Sequence, residues 1–189
     1  MAKTSSERKP QKFRGLDKHW HLATNSHEVG LTELEFALLR VSEAFGRWQS
    51  DCLACCFPST FSGADTAVLH VIRMHDRPKS ISEIGRLLNR DDMSNLQYGI
   101  RKLAKAGLIE KSKTSGHKRG VTYQVSELGK EVTDRYAEFR DELLISLTQS
   151  ISDWKDNLEQ VAKILNLMSG MYDQASCVAA SHKISSEPG

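Results

Sequence analysis

The chain has 189 residues, of which 39% are hydrophobic and 26% charged, with a formal net charge of +2. That length suits one globular domain with terminal extensions. No apolar run approaches the roughly 20 residues of a membrane span, and the polar N-terminus lacks the apolar core of a signal peptide. Four cysteines, three of them within residues 52–56, do not resemble the framework of a secreted disulfide domain, so we expect a cytoplasmic protein with reduced thiols.

Charge is unevenly distributed along the chain. Residues 86–120 carry nine Lys and Arg against three acids, a balance of +6, whereas residues 127–159 carry four against nine, a balance of −5. A basic segment beside an acidic one predicts a surface for a polyanion attached to an acidic scaffold.

The N-terminal part predicts an arm followed by a long helix. Residues 1–30 hold basic and polar groups with few apolar ones, which is typical of a flexible arm and lead-in. From Leu31 apolar residues recur every three or four positions, which predicts a first helix that ends near Cys56, before Pro58.

Two shorter helices are predicted next, each with a capping box at its start. Ser62 and Asp65 fit that pattern ahead of a second helix, because a serine hydroxyl and an acid three residues on can satisfy the first free amides. Ser80 and Glu83 repeat the pattern ahead of a third, short helix.

A fourth helix and a hairpin follow. Asp91 or Asp92 can cap this helix, and Gly107 suits the left-handed position after its end. Residues 108–112 and 121–125 have the composition of two strands joined by a basic loop. The apolar positions of the fourth helix, which we expect to face inward, are Met93, Leu96, Ile100 and Leu103.

The order of these elements is that of a winged helix-turn-helix, in which the second of two short helices enters the major groove of duplex DNA. Asn and Gln can pair with adenine, Ser and Tyr can reach bases or phosphates, and Arg can bind guanine or phosphate. Cations in the hairpin loop suit the phosphate backbone, although any one of these side chains could be merely solvated. The predicted DNA-binding residues are Ser94, Asn95, Gln97, Tyr98, Arg101 and Lys102 on the helix and Lys113, Lys118 and Arg119 at the wing.

The C-terminal part predicts two long helices. Ser126 can cap a fifth helix that continues through Leu147. In the last helix apolar residues alternate at spacings of three and four, a seam that needs a partner along its length. The same chain or a second copy could supply that partner, and the regular heptads favour a second copy. The predicted dimerisation residues are Leu34, Leu38, Ile151, Trp154, Leu158, Val161, Leu165, Met168 and Tyr172.

These elements predict a mainly α-helical fold with a small β-hairpin. Residues 61–126 would form the winged helix-turn-helix lobe, and residues 31–57 and 127–176 a helical dimerisation region. Residues 177–189 are polar and are expected to form a disordered tail.

Three cysteines invite a sharper hypothesis. Cys52, Cys55 and Cys56 fall at i, i+3 and i+4 on one side of the first helix, which would suit a thiol redox sensor or part of a metal site. Free cysteines are also common small core residues, and this interpretation is favoured. No pair of histidines completes a ligand set, so we expect no metal and no cofactor. Phe45, Trp48 and Phe57 similarly fit either a ligand pocket or plain core.

An enzyme is not expected, because the sequence has no Gly-rich phosphate loop, no Gly-x-Ser-x-Gly elbow and no His-Glu-x-x-His helix. The alternative to a DNA-binding protein is a winged helix that docks an acidic protein partner. Steep salt dependence of DNA binding would distinguish the two.

Three stretches resemble the MarR family of bacterial regulators: residues 80–85 (Ser-Ile-Ser-Glu-Ile-Gly), 103–109 (Leu-Ala-Lys-Ala-Gly-Leu-Ile) and 123–129 (Tyr-Gln-Val-Ser-Glu-Leu-Gly). The resemblance implies a triangular homodimer in which the first and the last two helices interlock, and a pocket for a small-molecule effector between these helices and each lobe. Two recognition helices of a dimer would occupy successive major grooves, so we expect a repressor that binds an inverted-repeat operator. A small ligand, or oxidation of the clustered thiols, would modulate it. The wing departs from the family's Asp-x-Arg pattern, and Arg119 takes the place of its arginine.

Overall fold

The computed structural model describes residues 21–58, 60–112, 120–149 and 154–182, with the first three residues of the last range described by their backbone alone. Seven α-helices and three short strands are defined in these ranges. In chain order the elements are α1 (Ser26–Cys56), α2 (Gly63–Arg73), β1 (Lys79–Ser80), α3 (Ile81–Leu87), α4 (Met93–Lys105), β2 (Ile109–Lys111), β3 (Thr122–Val125), α5 (Glu127–Arg140), α6 (Ser146–Gln149) and α7 (Trp154–Ser181).

Helix α1 begins five residues earlier than the apolar pattern indicates. The side chain of Asn25 accepts hydrogen bonds from the backbone N–H groups of His27 and Glu28 at 3.0 and 3.1 Å, which satisfies two of the first free amides. Residues 26–30 therefore belong to the helix and not to the predicted lead-in. At the other end Phe57 adopts an extended backbone, so the helix ends at Cys56 as predicted.

The capping box of α2 is confirmed in full, because the Ser62 hydroxyl accepts from Asp65 N and the Asp65 carboxylate accepts from Ser62 N. At α3 only half of the predicted box forms. Ser80 accepts from Glu83 N at 3.2 Å, but the Glu83 carboxylate pairs with the Arg77 guanidinium instead of returning to the cap. Hydrogen bonds to a nearby cation thus replace the second capping bond.

The sheet has three antiparallel strands in the order β1-β3-β2, where the sequence predicted two. Strand β1 was missed because it is two residues long and pairs Lys79 with Tyr123 across 44 positions of sequence. Lys79 is completely buried, and its ammonium donates to the carbonyls of Ile72 and Arg77, each at 3.1 Å, and to that of Met74. The lysine thereby satisfies carbonyl groups at and beyond the C-terminal end of α2.

Helix α4 is capped and terminated as predicted. The Asp92 carboxylate accepts from Asn95 N at 3.1 Å, and Gly107 adopts a φ of +76°, the left-handed conformation that favours glycine. Leu96, Ile100 and Leu103 are buried, whereas Met93 remains 36% exposed, so the expectation that it faces inward is wrong in part. Its place in the first turn of the helix leaves one side of the thioether open.

The core packs α1, α2, α4 and α5 around the sheet. Helix α5 starts at the Ser126 cap, and a π-helical turn over Asp141–Ile145 joins it to α6. Helix α7 continues to Ser181, so residues 177–181 lie in a helix and not in the predicted tail. In the ranges that the structure describes, no helix is long and apolar enough to cross a membrane.

Helix α7 contacts the remainder of the chain through polar side chains. The Tyr172 hydroxyl donates to Glu35 of α1 at 3.1 Å. The amide of Asn89, in the turn between α3 and α4, donates to Ser169 and to the carboxylate of Asp173, each at 3.2 Å. These contacts leave most of the apolar seam of α7 uncovered by its own chain.

Candidate nucleic-acid interface

The outer face of α4 carries the residues that the sequence selected for base contacts. All of them lie on the solvent side because the buried positions follow the helical period, and the ring of Tyr98 is 62% exposed. The structure brings together five exposed side chains on this face, namely Ser94, Asn95, Gln97, Tyr98 and Arg101. Each of these side chains carries a hydrogen-bonding group, and together they are called the base-reading strip below.

Asn95 is held in one orientation by the cap of the helix. Its amide nitrogen donates to one oxygen of Asp92, whose other oxygen accepts from Asn95 N. A carboxylate can only accept, so the amide nitrogen must face Asp92 and the Asn95 carbonyl oxygen must face away. The side chain is therefore oriented before any ligand arrives.

Lys102 makes its contacts within the lobe. Its ammonium lies 2.8 Å from Asp65 Oδ2 and 2.9 Å from the carbonyl oxygen of Thr60, and 4.8 Å from the centre of the Phe61 ring. These contacts tie α4 to the first turn of α2. The charge of Lys102 is therefore paired within the lobe, and its contact with DNA stays a prediction.

The turn between α3 and α4 fixes the angle between the two helices. Asn89 adopts a φ of +50°, a left-handed conformation that Asn tolerates better than most residues, and Arg90 N donates to the Gly85 carbonyl at 2.8 Å. A Cβ atom at Gly85 would lie 3.1 Å from the Arg90 carbonyl and 3.3 Å from the Leu96 side chain. A larger residue at this position would therefore have to displace these neighbours by a few tenths of an ångström.

The wing is described only at its base. Ile109 pairs with Val125 and Lys111 with Tyr123, so the two strands leave the lobe beside each other in the predicted hairpin register. Lys111 and Gly120 are exposed at the end of the described strands. The predicted wing contacts Lys113, Lys118 and Arg119 lie outside the described residues.

The predicted dimerisation residues lie on open surfaces of the single chain. On α7 Leu158, Val161 and Leu165 are each at least 39% exposed, and Tyr172 is 38% exposed. Leu34 of α1 is exposed, and Leu38 and Met168 are half-buried. Ile151 and the side chain of Trp154 lie outside the described residues. Apolar surface of this extent on one chain is typical of a protein–protein interface.

The three clustered cysteines do not share one environment. Cys52 and Cys56 are buried in the core and Cys55 is exposed, although their i, i+3, i+4 spacing in α1 places all three on one side of the helix. Burial raises the pKa of Cys52 to about 11 and raises that of Cys56, which leaves both thiols protonated at neutral pH. These two residues fit the core interpretation. No group that could hold a metal ion occurs among the described residues.

A pocket of about 530 Å³ opens between α1, α2 and α5. Phe45 and Trp48 line it, as one sequence hypothesis expected, but Phe57 stacks on Phe61 at 6.3 Å and belongs to the core. The other walls had no local signal in the sequence because residues of separate helices form them. They include His70, Arg73, Tyr136 and Arg140.

The His70 imidazole lies edge-on against the Tyr136 ring at 4.4 Å, and its Nε2 atom is buried with no hydrogen-bond partner among the described residues. Burial lowers the pKa of His70, and the nearby cations Arg73 and Arg140 lower it further. The pocket is therefore aromatic and cationic, with an imidazole that stays neutral at pH 7.

Known proteins share the helix-turn-helix and the overall fold of this chain. Residues 61–129 match the model of a winged helix DNA-binding domain. The comparison with curated proteins finds no match. Among solved structures, a cysteine-to-serine mutant of MarR from E. coli complexed with operator DNA is similar over 72% of this chain and 95% of its own, with 21% identity and a TM-score of 0.58.

Two further structures show the same likeness. The transcriptional regulator BldR from Sulfolobus solfataricus has 17% identity and a TM-score of 0.60, covering 76% of this chain and 99% of its own. A MarR/EmrR family regulator from an Acinetobacter species has 16% identity and a TM-score of 0.60, covering 80% and 99%. The chain is a winged helix protein with the MarR fold. The resemblance noted in the sequence is thereby confirmed for the fold, and BldR and the Acinetobacter protein are transcriptional regulators.

The sequence pattern predicted α4 and the hairpin of the MarR fold, but it did not predict the contacts that hold them in place. The Lys102–Asp65 pair joins residues 37 positions apart. The buried Lys79 ammonium contacts carbonyl groups up to 7 positions away. A buried lysine has no local sequence signal, because the same residue type is usually found at the surface.

Proposed function

We propose that the chain is a transcription regulator that binds duplex DNA in a sequence-specific manner as a homodimer. The observation that carries the proposal is the outer face of α4, where exposed hydrogen-bonding side chains stand on the second helix of a winged helix-turn-helix. In this arrangement the helix lies in the major groove and its side chains reach base edges. The structures of similar fold include one bound to operator DNA, which supports the same use of the fold here.

A homodimer is supported by the apolar surfaces of α1 and α7. Leu39 and Val41 on α1 and Leu158 and Leu167 on α7 are between 49% and 66% exposed in the single chain. Because such surface is costly in water, a second copy that covers it would stabilise the assembly. Two copies related by a two-fold axis would present two α4 helices, which predicts an inverted-repeat operator with half-sites about one helical turn apart.

We further propose that the protein represses transcription and that an effector in the pocket between α1, α2 and α5 relieves repression. Aromatic walls and the guanidinium groups of Arg73 and Arg140 suit a small aromatic anion. Arg73 donates to Asp134 at 2.6 Å and to the Lys130 carbonyl at 2.9 Å, so a ligand that draws on this arginine would disturb the contact between α2 and α5. Coupling then requires only that the ligand prefer one lobe arrangement.

The first test is selection of random-sequence duplexes by the purified protein at two salt concentrations, followed by sedimentation of the complex. An enriched inverted repeat, bound by two chains with an affinity that falls steeply with salt, supports the proposal. A protein that shows little affinity for DNA at either salt concentration would instead be a docking module for a protein partner.

Repression and the effector need separate measurements. A reporter gene with the selected operator across its promoter should lose expression when the protein is supplied. Benzoate, as a simple aromatic anion, should quench Trp48 fluorescence and lower operator affinity, whereas cyclohexylamine, a cation of similar size, should do neither. Arg140→Ala should abolish the benzoate response while leaving operator binding in its absence unchanged.

A further inference from the structure

The first two turns of α4 present amides and apolar groups to the outside but carry no cationic residue. Residues 93–100 contain no Lys or Arg, and Arg101 lies four positions after Gln97, about 6 Å further along the helix axis. In helix-turn-helix proteins it is the N-terminal residues of the reading helix that contact base edges. We infer that α4 reads A·T base pairs in the centre of each half-site, an inference that rests on the proposed function.

The Asn95 amide can present one donor and one acceptor to a base. One N–H of its amide is taken by Asp92, and the carboxylate fixes the carbonyl oxygen on the opposite side. The second N–H and the carbonyl oxygen remain as a donor and an acceptor side by side. This pair matches the N7 acceptor and the N6 donor that adenine alone presents in the major groove. Gln97, exposed two residues on, offers the same pair of groups on a longer side chain.

Apolar surface beside these amides suits the partner base of adenine. The Tyr98 ring is 62% exposed and the Met93 side chain 36%, in the same two turns of the helix. A thymine presents its C5-methyl group in the major groove, and apolar side chains are its usual contact. Asn95 or Gln97 on adenine, with Met93 or Tyr98 on thymine, would thus read both halves of an A·T pair.

The usual readers of a G·C pair are missing or occupied on this part of the helix. Guanine is most often bound by a bidentate Arg or Lys, yet the Lys102 ammonium is paired with Asp65 and lies in contact with Phe61. Cytosine is read by a carboxylate that accepts from its amino group, but both oxygens of Asp92 already accept from Asn95. Arg90 precedes α4 by three residues, so its replacement tests whether a cation outside the helix reads guanine.

The experiment starts from the operator selected by the full-length protein and changes single atoms of its bases. Replacing adenine by 7-deazaadenine removes the N7 acceptor, and replacing thymine by uracil removes the methyl group, while base pairing is kept. We expect each change in the half-site centre to weaken binding about 5-fold. Exchange of the same A·T pair for G·C should weaken binding about 5- to 150-fold.

Variants assign the effect to side chains. Asn95→Ala or Gln97→Ala should bind the natural and 7-deazaadenine operators equally, because the group that detects N7 is gone. In Asn95→Ala the backbone N–H at position 95 can still donate to the Asp92 carboxylate, so the helix cap is retained. Circular dichroism checks that the helix content is unchanged. Arg101→Ala is the matched control on the same helix, and it should weaken binding to all duplexes while the discrimination persists.

The outcomes separate this inference from the function on which it rests. The selected operator could instead be an inverted repeat with G·C pairs at its half-site centres, and Arg90→Ala could abolish the preference for those pairs. That result would overturn A·T reading while the protein remained a sequence-specific regulator. An A·T-centred repeat whose analogues bind normally would also overturn it, since shape rather than base edges would then be read. Absence of any enriched sequence would overturn both.

Discussion

The Lys102 ammonium and the Asp65 carboxylate lie 2.8 Å apart and join α4 to the first turn of α2. Asp65 is the third residue of α2 and also completes its capping box. Its carboxylate therefore caps the start of α2 and also holds α4 in position. The side chains are 29% and 11% exposed, which places the pair mostly away from solvent. The position of α4, the helix that we propose contacts DNA, therefore depends on this ion pair.

Loss of the pair should lower both stability and DNA affinity. Lys102→Met keeps most of the aliphatic stem over Phe61 but leaves the buried Asp65 without its cation, and we expect the free energy of unfolding to fall by about 1–3 kcal/mol. Urea denaturation measures this. Lys105→Met, an exposed position one turn on, is the control and should change the midpoint little. Equal midpoints for the two variants would contradict the role of the pair.

The same carboxylate predicts acid sensitivity. Burial alone would raise the pKa of Asp65, but hydrogen bonds from Lys102 and Ser62 outweigh it and hold the pKa below 3.8. A carboxylate whose pKa is depressed in the folded state stabilises the fold above the unfolded value of about 3.9 and loses that contribution as the pH falls. Urea midpoints between pH 5 and pH 3 should therefore fall less in Asp65→Asn than in the original chain.

His70 predicts a second pH effect, in a higher range. Burial, helped by Arg73 and Arg140, lowers the pKa of His70 below 6.5. As the pH falls through 6.5, His70 therefore binds a proton in the unfolded chain before it does so in the folded chain, and the free energy of unfolding declines. Thermal unfolding between pH 7.5 and pH 5 should show this decline, and His70→Phe should reduce it. His27→Gln, at an exposed position, should leave the slope unchanged; a matching reduction there would refute the assignment.

Gly129 occupies a position where no side chain fits. A Cβ atom there would lie 2.0 Å from the Leu108 carbonyl oxygen and 2.6 Å from Val125, at the point where α5 meets the sheet. Gly129→Ala should destabilise the fold by about 1–3 kcal/mol through overpacking. Gly30→Ala, in α1 with nothing within 4 Å, should instead add about 0.5–1 kcal/mol through helix propensity. Urea denaturation of both variants tests the opposite signs.

The dimer proposal predicts a change of mass on substitution in the α7 seam. Leu165→Glu places a charge on an apolar surface, which a second copy could not cover without burying it, so sedimentation equilibrium should show monomers and DNA affinity should fall. Gln160→Glu adds the same charge on the same helix outside the seam and should leave the mass unchanged. If Leu165→Glu has the mass of the original protein, α7 is not part of the interface.

Thiol reactivity tests the sensor hypothesis. Cys52 and Cys56 are buried and protonated at pH 7, whereas Cys55 is exposed, so iodoacetamide should label Cys55 first and reach the other two only on unfolding. All three cysteines lie in the single tryptic peptide of residues 48–73, so the fragment-ion spectrum of that peptide locates the label. Labelling of Cys52 at the rate of Cys55 in the folded protein would show that the core opens and would restore all three residues as sensor candidates. Cys55→Ser measures background labelling.

The order and type of the main elements followed from the sequence because their signals are local. Ser62, Asp92 and Ser126 each accept a hydrogen bond from an N–H three residues on, and Gly107 takes its left-handed conformation within its own residue. Such contacts need no knowledge of the rest of the chain. Apolar spacing then indicated which face of α4 is turned outward, and hence the residues of the base-reading strip.

Only the tertiary structure could decide features that join distant parts of the chain. Strand β1 exists because β3 pairs with it, Lys79 is buried where carbonyl groups of three residues accept hydrogen bonds from its ammonium, and the charge of Lys102 is paired because Asp65 lies beside it. Cys55 is exposed while Cys52 is buried, although both lie within one turn of α1. In each case the residue type is compatible with two environments, and packing between elements chooses one of them.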